Sequence, residues 1–261
     1  MIDGLITAGG ISKPNDPLYK LTGTTKKALI PLAGRPMISW VIDAMVGSGM
    51  INNLVIVGLT PDDITLPDIP TYFLPSTGRM VENLLVGRDK LVEITPSLKK
   101  ILLCSSDIPL VTPEIIRGFV GECGDLSGDI YYSIVEESVM EKQYPNSNRT
   151  YIPCKGGRYT GGDAFVVRAD LQPDNEFMRG IIGSRKNYLK QIQMFGVGFI
   201  IRFLARRIPV HQAAAEAARR AGIPDGRVLL TRYAELAMDL DKPNHYNLIK
   251  TKLEAREVNS E

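Results

Sequence analysis

Three short stretches of this chain carry residue types that could do chemistry together. Near the start, Leu5-Ile6-Thr7 runs into Ala8-Gly9-Gly10, and Lys27 follows a polar loop, ahead of Ala28-Leu29-Ile30-Pro31. Paired glycines let a backbone approach a ligand closely, and the amides of such a turn point at anions, polyphosphate above all. Lys27 is either a point charge over those phosphates or a solvated surface lysine beside Lys26, and its neighbours leave both readings open. Farther on, the apolar run Ile101-Leu102-Leu103-Cys104 delivers Ser105-Ser106-Asp107-Ile108-Pro109. Asp107 therefore stands at the carboxyl end of a buried strand, the edge that faces the ligand crevice in open α/β sheets. An acid desolvated there needs a metal or a base. The bland reading, a turn or capping aspartate, is the weaker one, because Thr112 supplies a better cap for the next helix. Late in the chain, Met238-Asp239-Leu240-Asp241-Lys242-Pro243 reads as a strand whose alternation puts both acids on one side. Asp239 could complete a magnesium site, since Mg²⁺ takes one or two carboxylates plus phosphate oxygens and water, while Asp241 caps the last helix.

These residues need a scaffold that brings distant segments to one edge. Short apolar runs at Gly4–Thr7, Leu54–Val57, Thr71–Leu74 and Lys100–Ser105 read as strands, and Pro36–Gly49, Met80–Val92 and Pro113–Cys123 read as helices between them. Strands alternating with helices imply a mostly parallel sheet covered on both faces: an α/β, Rossmann-like three-layer sandwich. In the second half, Ile130–Val135, Ala164–Val167, Val228–Thr231 and Ala237–Leu240 read as strands, Glu136–Arg149 as a loop and Asn244–Ala255 as a closing helix. A helical region over Asn175–Gly222 breaks the alternation. The organisation expected is one domain, 1–261, with a helical insertion at about 173–223. Arg149, Lys155 and Arg158 flank Gly161-Gly162, and Arg179, Arg185, Lys186 and Lys190 form a basic set beyond it. That set would suit an anionic acceptor, or be a solvated helix face.

Composition removes several classes. The 261 residues carry a formal charge of only +2, so no global field favours nucleic acid or an anionic membrane. Three scattered cysteines without a CxxC pair suggest a reduced, cytoplasmic protein without a zinc site. The longest apolar run, Met194–Ile201, stops at Arg202, far short of the ~18 residues of a membrane span. Neither GxxxxGK[ST] nor GxGxxG opening a helix is present, which argues against a P-loop ATPase and a dinucleotide dehydrogenase.

In combination the motifs resemble the molybdenum-cofactor guanylyltransferase-like NTP transferases, nucleotidyltransferases with a glycosyltransferase-A-like fold. That family shows a strand ending in Ala-Gly-Gly, then Lys-x-Leu-x-Pro-(x)2-Gly-(Lys/Arg)-Pro, as in Ala8-Gly9-Gly10 and Lys27 through Pro36. Its metal aspartate lies in a segment like Ser105 through Leu110, and its second ligand in one like Met238 through Pro243. The resemblance implies that Ala8, Gly9, Gly10, Lys27, Gly78, Arg79 and Asn83 bind the nucleotide. It also implies that Asp107 and Asp239 hold Mg²⁺, that Lys27 and Asp107 are catalytic, and that Gly161, Gly162 and Asp163 contact the second substrate, with Arg185 and Lys186 beside them. The activity implied is Mg-dependent transfer of an NMP from an NTP to a phosphorylated small-molecule acceptor, with release of pyrophosphate. The partners expected are those two substrates and a second copy of the chain as a homodimer, with no nucleic acid and no transmembrane segment. One departure stands out: family members continue Gly-Gly with a short loop bearing an arginine, whereas here Ile11 through Pro17 is longer and has none, and Lys13, Lys20 and Lys26 are the nearby cations. The competing readings are a nucleotide-binding protein that does not turn over, and a glycosyltransferase, which would carry Asp-x-Asp where this chain has Ser105-Ser106-Asp107.

Overall fold

The computed structural model describes residues 2–171, 205 and 207–258. Its centre is β1 (Ile2–Thr7), flanked in parallel by β4 (Ile51–Val57) and β6 (Lys100–Ser105). β5 (Thr71–Leu74) extends the sheet beyond β4. On the other side β9 (Gly157–Arg168) runs antiparallel to both β6 and β7 (Ile130–Glu136), and β10 (Gly226–Thr231) closes the edge parallel to β7. β8 (Ile152–Cys154) pairs with β9, completing a mixed sheet of eight strands. A small ribbon of β2 (Pro31–Leu32) and β3 (Arg35–Pro36) stands apart from it.

Strand alternation sorts the core into two layers. Ile6, Leu54, Ile56, Leu102 and Cys104 turn to one face and pack with α2 (Met37–Gly47) and α4 (Pro113–Glu122). Leu5, Val55, Val57, Ile101 and Leu103 turn to the other, against α3 (Met80–Ile94). Thr112 accepts from the Ile115 amide at 3.3 Å and caps α4, as its position before Pro113 suggests. A separate cluster joins Leu32, Met37 and Trp40 to Ala237, Met238, Leu240 and the closing helix α7 (Pro243–Val258). This cluster draws the late acidic segment back onto the N-terminal half.

The loop expected over Ile11–Pro17 leads into a short helix, α1 (Pro17–Thr22), whose cap is Asp16. Three expectations need correction. The stretch Glu136–Arg149 is not loop throughout, because Glu137–Gln143 forms α5. Within the helix only Met140 is buried, joined in the second cluster by the capping Tyr144, so the helix owes its place to tertiary burial, which apolar spacing does not reveal. Ala237–Leu240 is not a strand. Ala234–Ala237 makes a 3-10 turn, and the Leu240 amide leaves the sheet pattern to donate to the Asp107 carbonyl at 2.8 Å. The segment is apolar because α7 buries it. Finally, Gly161-Gly162 lies within β9 and does not precede it. The register against β7 breaks between Tyr132 and Ile134, so the glycines sit at a bulge. Of the expected helical insertion, residues 172–204 and 206, which include Arg179, Arg185, Lys186 and Lys190, lie outside the described residues. Val210–Arg220 near its end is helical (α6).

Candidate active site

The glycine turn leaves β1 at its carboxyl end. Thr7 pairs with Ser105 across the β1–β6 ladder, and the Ser106 amide donates to the Thr7 carbonyl at 3.3 Å. Ala8-Gly9-Gly10 and Ser106-Asp107 therefore leave the same edge of neighbouring parallel strands, the edge where open α/β sheets bind ligands. Lys27 returns to this turn. Its amide donates to the Gly10 carbonyl at 2.9 Å, and its side-chain carbons lie 3.6 Å from where a Cβ on Gly10 would stand.

Gly9 is fixed by its surroundings. A Cβ there would come 2.4 Å from Ser76 Oγ and 2.9 Å from Asn83 Nδ2. Asn83, 5% exposed, holds the adjoining loop: its Oδ1 accepts from the Thr77 amide at 2.8 Å, and its Nδ2 donates to Ser76 Oγ at 3.2 Å. With both ends of its amide engaged, Asn83 shapes the loop that carries Gly78 and Arg79. Gly78 has φ +82 with open space around it, and Arg79 is exposed, 3.7 Å from Glu82. Sequence reasoning missed Gly58, the residue after β4. Its φ of +113 and a would-be Cβ 2.4 Å from Gly9 Cα allow β4 to close against the turn. Its signal was available, a glycine directly after a strand.

Lys27 is not simply solvated. Its ammonium lies 3.1 Å from Asp16, and its side chain is 30% exposed. Asp16 also accepts from the Leu18 amide at 2.9 Å, and this bond first, the lysine after it, holds the Asp16 carboxyl below its ordinary range. The longer loop thus delivers a carboxylate to the lysine. Lys26 grips Asp63 through both oxygens at 2.7 Å, which leaves it the poorest substitute for the loop's missing arginine.

A cavity of about 660 Å³ reaches Asp107; its described lining includes apolar side chains such as Leu84, Leu103 and Phe165, together with Asp107, Asp239, Gly161, Gly162, Asp163 and Arg149. Ser105 Oγ donates to an Asp107 carboxylate oxygen, so the position where a glycosyltransferase would offer a second acid holds a hydroxyl that steadies the first. Asp239 is brought in by backbone: Leu240 donates to the Asp107 carbonyl, and the Asp239 carbonyl faces His245 Nδ1 at 2.9 Å. The other imidazole nitrogen faces the Ser147 carbonyl at 2.7 Å. Burial, ahead of the nearby Lys242 and Arg149 charges, keeps the His245 pKa below its ordinary value. The Asp239 carboxylate itself is bonded to the Arg149 guanidinium. Neither His245 nor this ion pair had a sequence signal beyond the scarcity of histidine. The glycines of β9 serve packing as well. A Cβ on Gly161 would meet Tyr132 Oη at 1.7 Å, and one on Gly162 would meet Ser133 Oγ at 2.3 Å and the Leu236 carbonyl at 3.0 Å. They let β9 approach the turn that carries Asp239. Cys104, wholly buried beneath the site, has its thiol pushed up to about 12 by burial and then by Asp163, which makes it inert as a nucleophile.

The site falls into two groups on one sheet edge. Ala8, Gly9, Gly10, Lys27 and Asn83 with its loop form one. Asp107, Asp239, Gly161, Gly162 and Asp163 form the other. Among the described residues no three His, Cys, Asp or Glu side chains converge to cage a metal. Two carboxylates on adjoining loops instead suit a magnesium that arrives with phosphate oxygens and keeps its waters.

An α/β sheet with a phosphate-type glycine turn and an aspartate at the neighbouring strand tip defines a nucleotide-handling enzyme. Residues 4–174, more than half the chain, match the model of the MobA-like NTP transferase domain, and the chain belongs to that family; it is a nucleotidyltransferase. It is similar to the 3-deoxy-manno-octulosonate cytidylyltransferases of Synechococcus elongatus and a second Synechococcus strain. Each is 29% identical over 175 residues, 63% of this chain and 70% of theirs. A hypothetical transferase from Thermus thermophilus superposes with a TM-score of 0.78 at 27% identity, over 94% of this chain and 100% of that one. The fold is shared more distantly with 4-diphosphocytidyl-2C-methyl-D-erythritol synthase from Anaerococcus prevotii, with a TM-score of 0.59 at 11% identity over 97% and 98% of the two chains. It is also shared with a CMP:2-keto-3-deoxy-manno-octonic acid synthetase complexed with CTP, with a TM-score of 0.56 at 12% identity over 98% and 99%. Among the described residues no helix is long and apolar enough to cross a membrane.

Proposed function

We propose that this enzyme transfers an NMP from an NTP to an anionic, sugar-derived small molecule, releasing pyrophosphate, with Mg²⁺ held by Asp107 and Asp239. The observation that carries the reading is the backbone bond from Leu240 to the Asp107 carbonyl, which joins the two acidic segments beside the glycine turn. CTP is the first nucleotide to test, because the curated relatives are named cytidylyltransferases. An acceptor oxygen attacks the α-phosphorus as the bond to pyrophosphate breaks, and catalysis rests on positioning and charge neutralisation. The amides of Gly9 and Gly10 and the Lys27 ammonium hold the triphosphate. The loop fixed by Asn83, with Gly78 and Arg79, borders the base. The cavity bounded by Gly161, Gly162 and Asp163 receives the acceptor, with Arg149 as its cation. Bound magnesium would neutralise charge on the triphosphate oxygens; Asp107 and Asp239 orient it. The test is pyrophosphate release from each NTP with separate pools of sugar phosphates, polyol phosphates and sugar acids. Release that needs both an NTP and an acceptor, and stops on removal of Mg²⁺, supports the reading. Binding without release points instead to a nucleotide-binding protein, and hydrolysis of an NDP-sugar to a glycosyltransferase.

A further inference from the structure

Asp239 already has a cation, and that cation is incompletely satisfied. Arg149 Nη1 bonds the Asp239 carboxylate, yet Arg149 Nε is buried with no hydrogen-bond partner. Both side chains are largely covered, at 13% and 20% exposure. A buried guanidinium nitrogen without an acceptor is costly, and such a group calls for an explanation. The backbone around it is not slack. Asn146 and Asn148 both take positive φ, at 61 and 53, a conformation asparagine tolerates better than most residues. The Ser147 carbonyl faces His245, and the Asn148 carbonyl accepts from Lys242 Nζ. His245 and Lys242 follow Asp239 in the chain, so the Arg149 loop and the Asp239 segment are cross-tied as one unit. Only the guanidinium end is left with an alternative.

We propose that Arg149 is a displaceable counter-cation: it neutralises Asp239 in the free protein and must release the carboxylate before Asp239 can serve a divalent metal. The inference rests on the reading of Asp239 as a metal ligand. Arg149 and the metal then compete for one carboxylate, and by linkage each weakens the other's hold. The unpartnered Nε fits this role, because a side chain meant to hold one acceptor permanently would satisfy its buried donors. The exchange keeps the acid from standing as an uncompensated charge before the metal arrives. It also frees a guanidinium in the cavity when the site is charged for reaction.

The test is protein-bound Mn²⁺ in the presence of CTP, followed by electron paramagnetic resonance on the wild-type chain, Arg149→Gln and Arg149→Lys. A charge-assisted bond of this kind corresponds to roughly tenfold in affinity. Arg149→Gln is therefore expected to bind Mn²⁺ about tenfold more tightly than wild type. Arg149→Lys, which keeps a competing cation, should stay near wild type. Equal or weaker binding by Arg149→Gln overturns the exchange and leaves the metal reading standing; no binding by any of the three overturns both. Should Arg149→Gln fail to fold, ¹⁵N-arginine spectra of the wild-type chain answer the same question, with Arg149→Lys locating the Arg149 signal. Addition of Mg²⁺ to the CTP-saturated chain is expected to shift the Nε resonance, and an unmoved resonance overturns the proposal.

Discussion

The two halves of the site are built by different means. On the proposed nucleotide side, the glycine turn, Lys27 and the 75–79 loop are held by backbone bonds and by glycines whose missing Cβ atoms leave room for their neighbours. The cation there, Lys27, is matched by a carboxylate that also caps a helix. On the proposed acceptor side, loops far apart in sequence are tied by one histidine between two carbonyls and by an ion pair with a buried donor left over. The first arrangement is fixed by backbone bonds and close packing, with the Lys27–Asp16 pair its one exchangeable contact. The second holds Asp239 in a pair with Arg149, the pair that the proposed metal exchange would separate. Rigid amides suit a ligand part common to all NTPs, and exchangeable ion pairs suit the part where chemistry happens.

Substitutions can break this contrast or sharpen it. The largest effect is expected at Asp107. Asp107→Asn should lower turnover by ~10³-fold with thermal stability nearly unchanged, since electrostatic stabilisation of transferring groups is commonly of that size. Pyrophosphate release together with a melting curve checks both halves of that statement. Next is Lys27→Ala, for which turnover should fall by about 10²-fold and nucleotide affinity with it; an unaltered nucleotide Kd would return this lysine to the ordinary surface. Gly9→Ala should come third. Its Cβ would press on Ser76 and Asn83, so a loss of ~1–3 kcal/mol in stability is expected. Nucleotide binding should weaken more than acceptor binding, and urea unfolding with isothermal titration would read both. Smallest is Lys26→Ala. Its pair with Asp63 is partly exposed, so under ~1 kcal/mol of stability and no change in turnover are expected. A strong activity defect there would mean that Lys26, and not Lys27, reaches the phosphates.

The same contrast explains what could be read from the sequence. The glycine turn, the returning lysine and the acid at the strand tip were legible because each is local: a strand, then a turn, then one residue type. The layers of the sheet were legible for the same reason, since Ile6 and Leu5 fall on opposite faces by alternation alone. The acceptor side was not. Met238 and Leu240 read as strand because they are apolar, but α7 buries them and no ladder does. Asp239 and Asp241 reached one cavity through a 3-10 turn and a bond to Asp107, not through strand alternation. α5 was hidden because only Met140, with the capping Tyr144, marks its buried face. The ion pair between Arg149 and Asp239 spans 90 positions, and no spacing rule connects them.

The central claim is that two separate acidic segments act as one metal-holding unit. A double-mutant cycle on Asp107→Asn and Asp239→Asn, measured as pyrophosphate release, addresses it most directly. If the two acids serve a single metal–triphosphate complex, the double variant loses little more activity than Asp107→Asn alone. Losses that multiply would contradict the claim, because each acid would then be acting on its own.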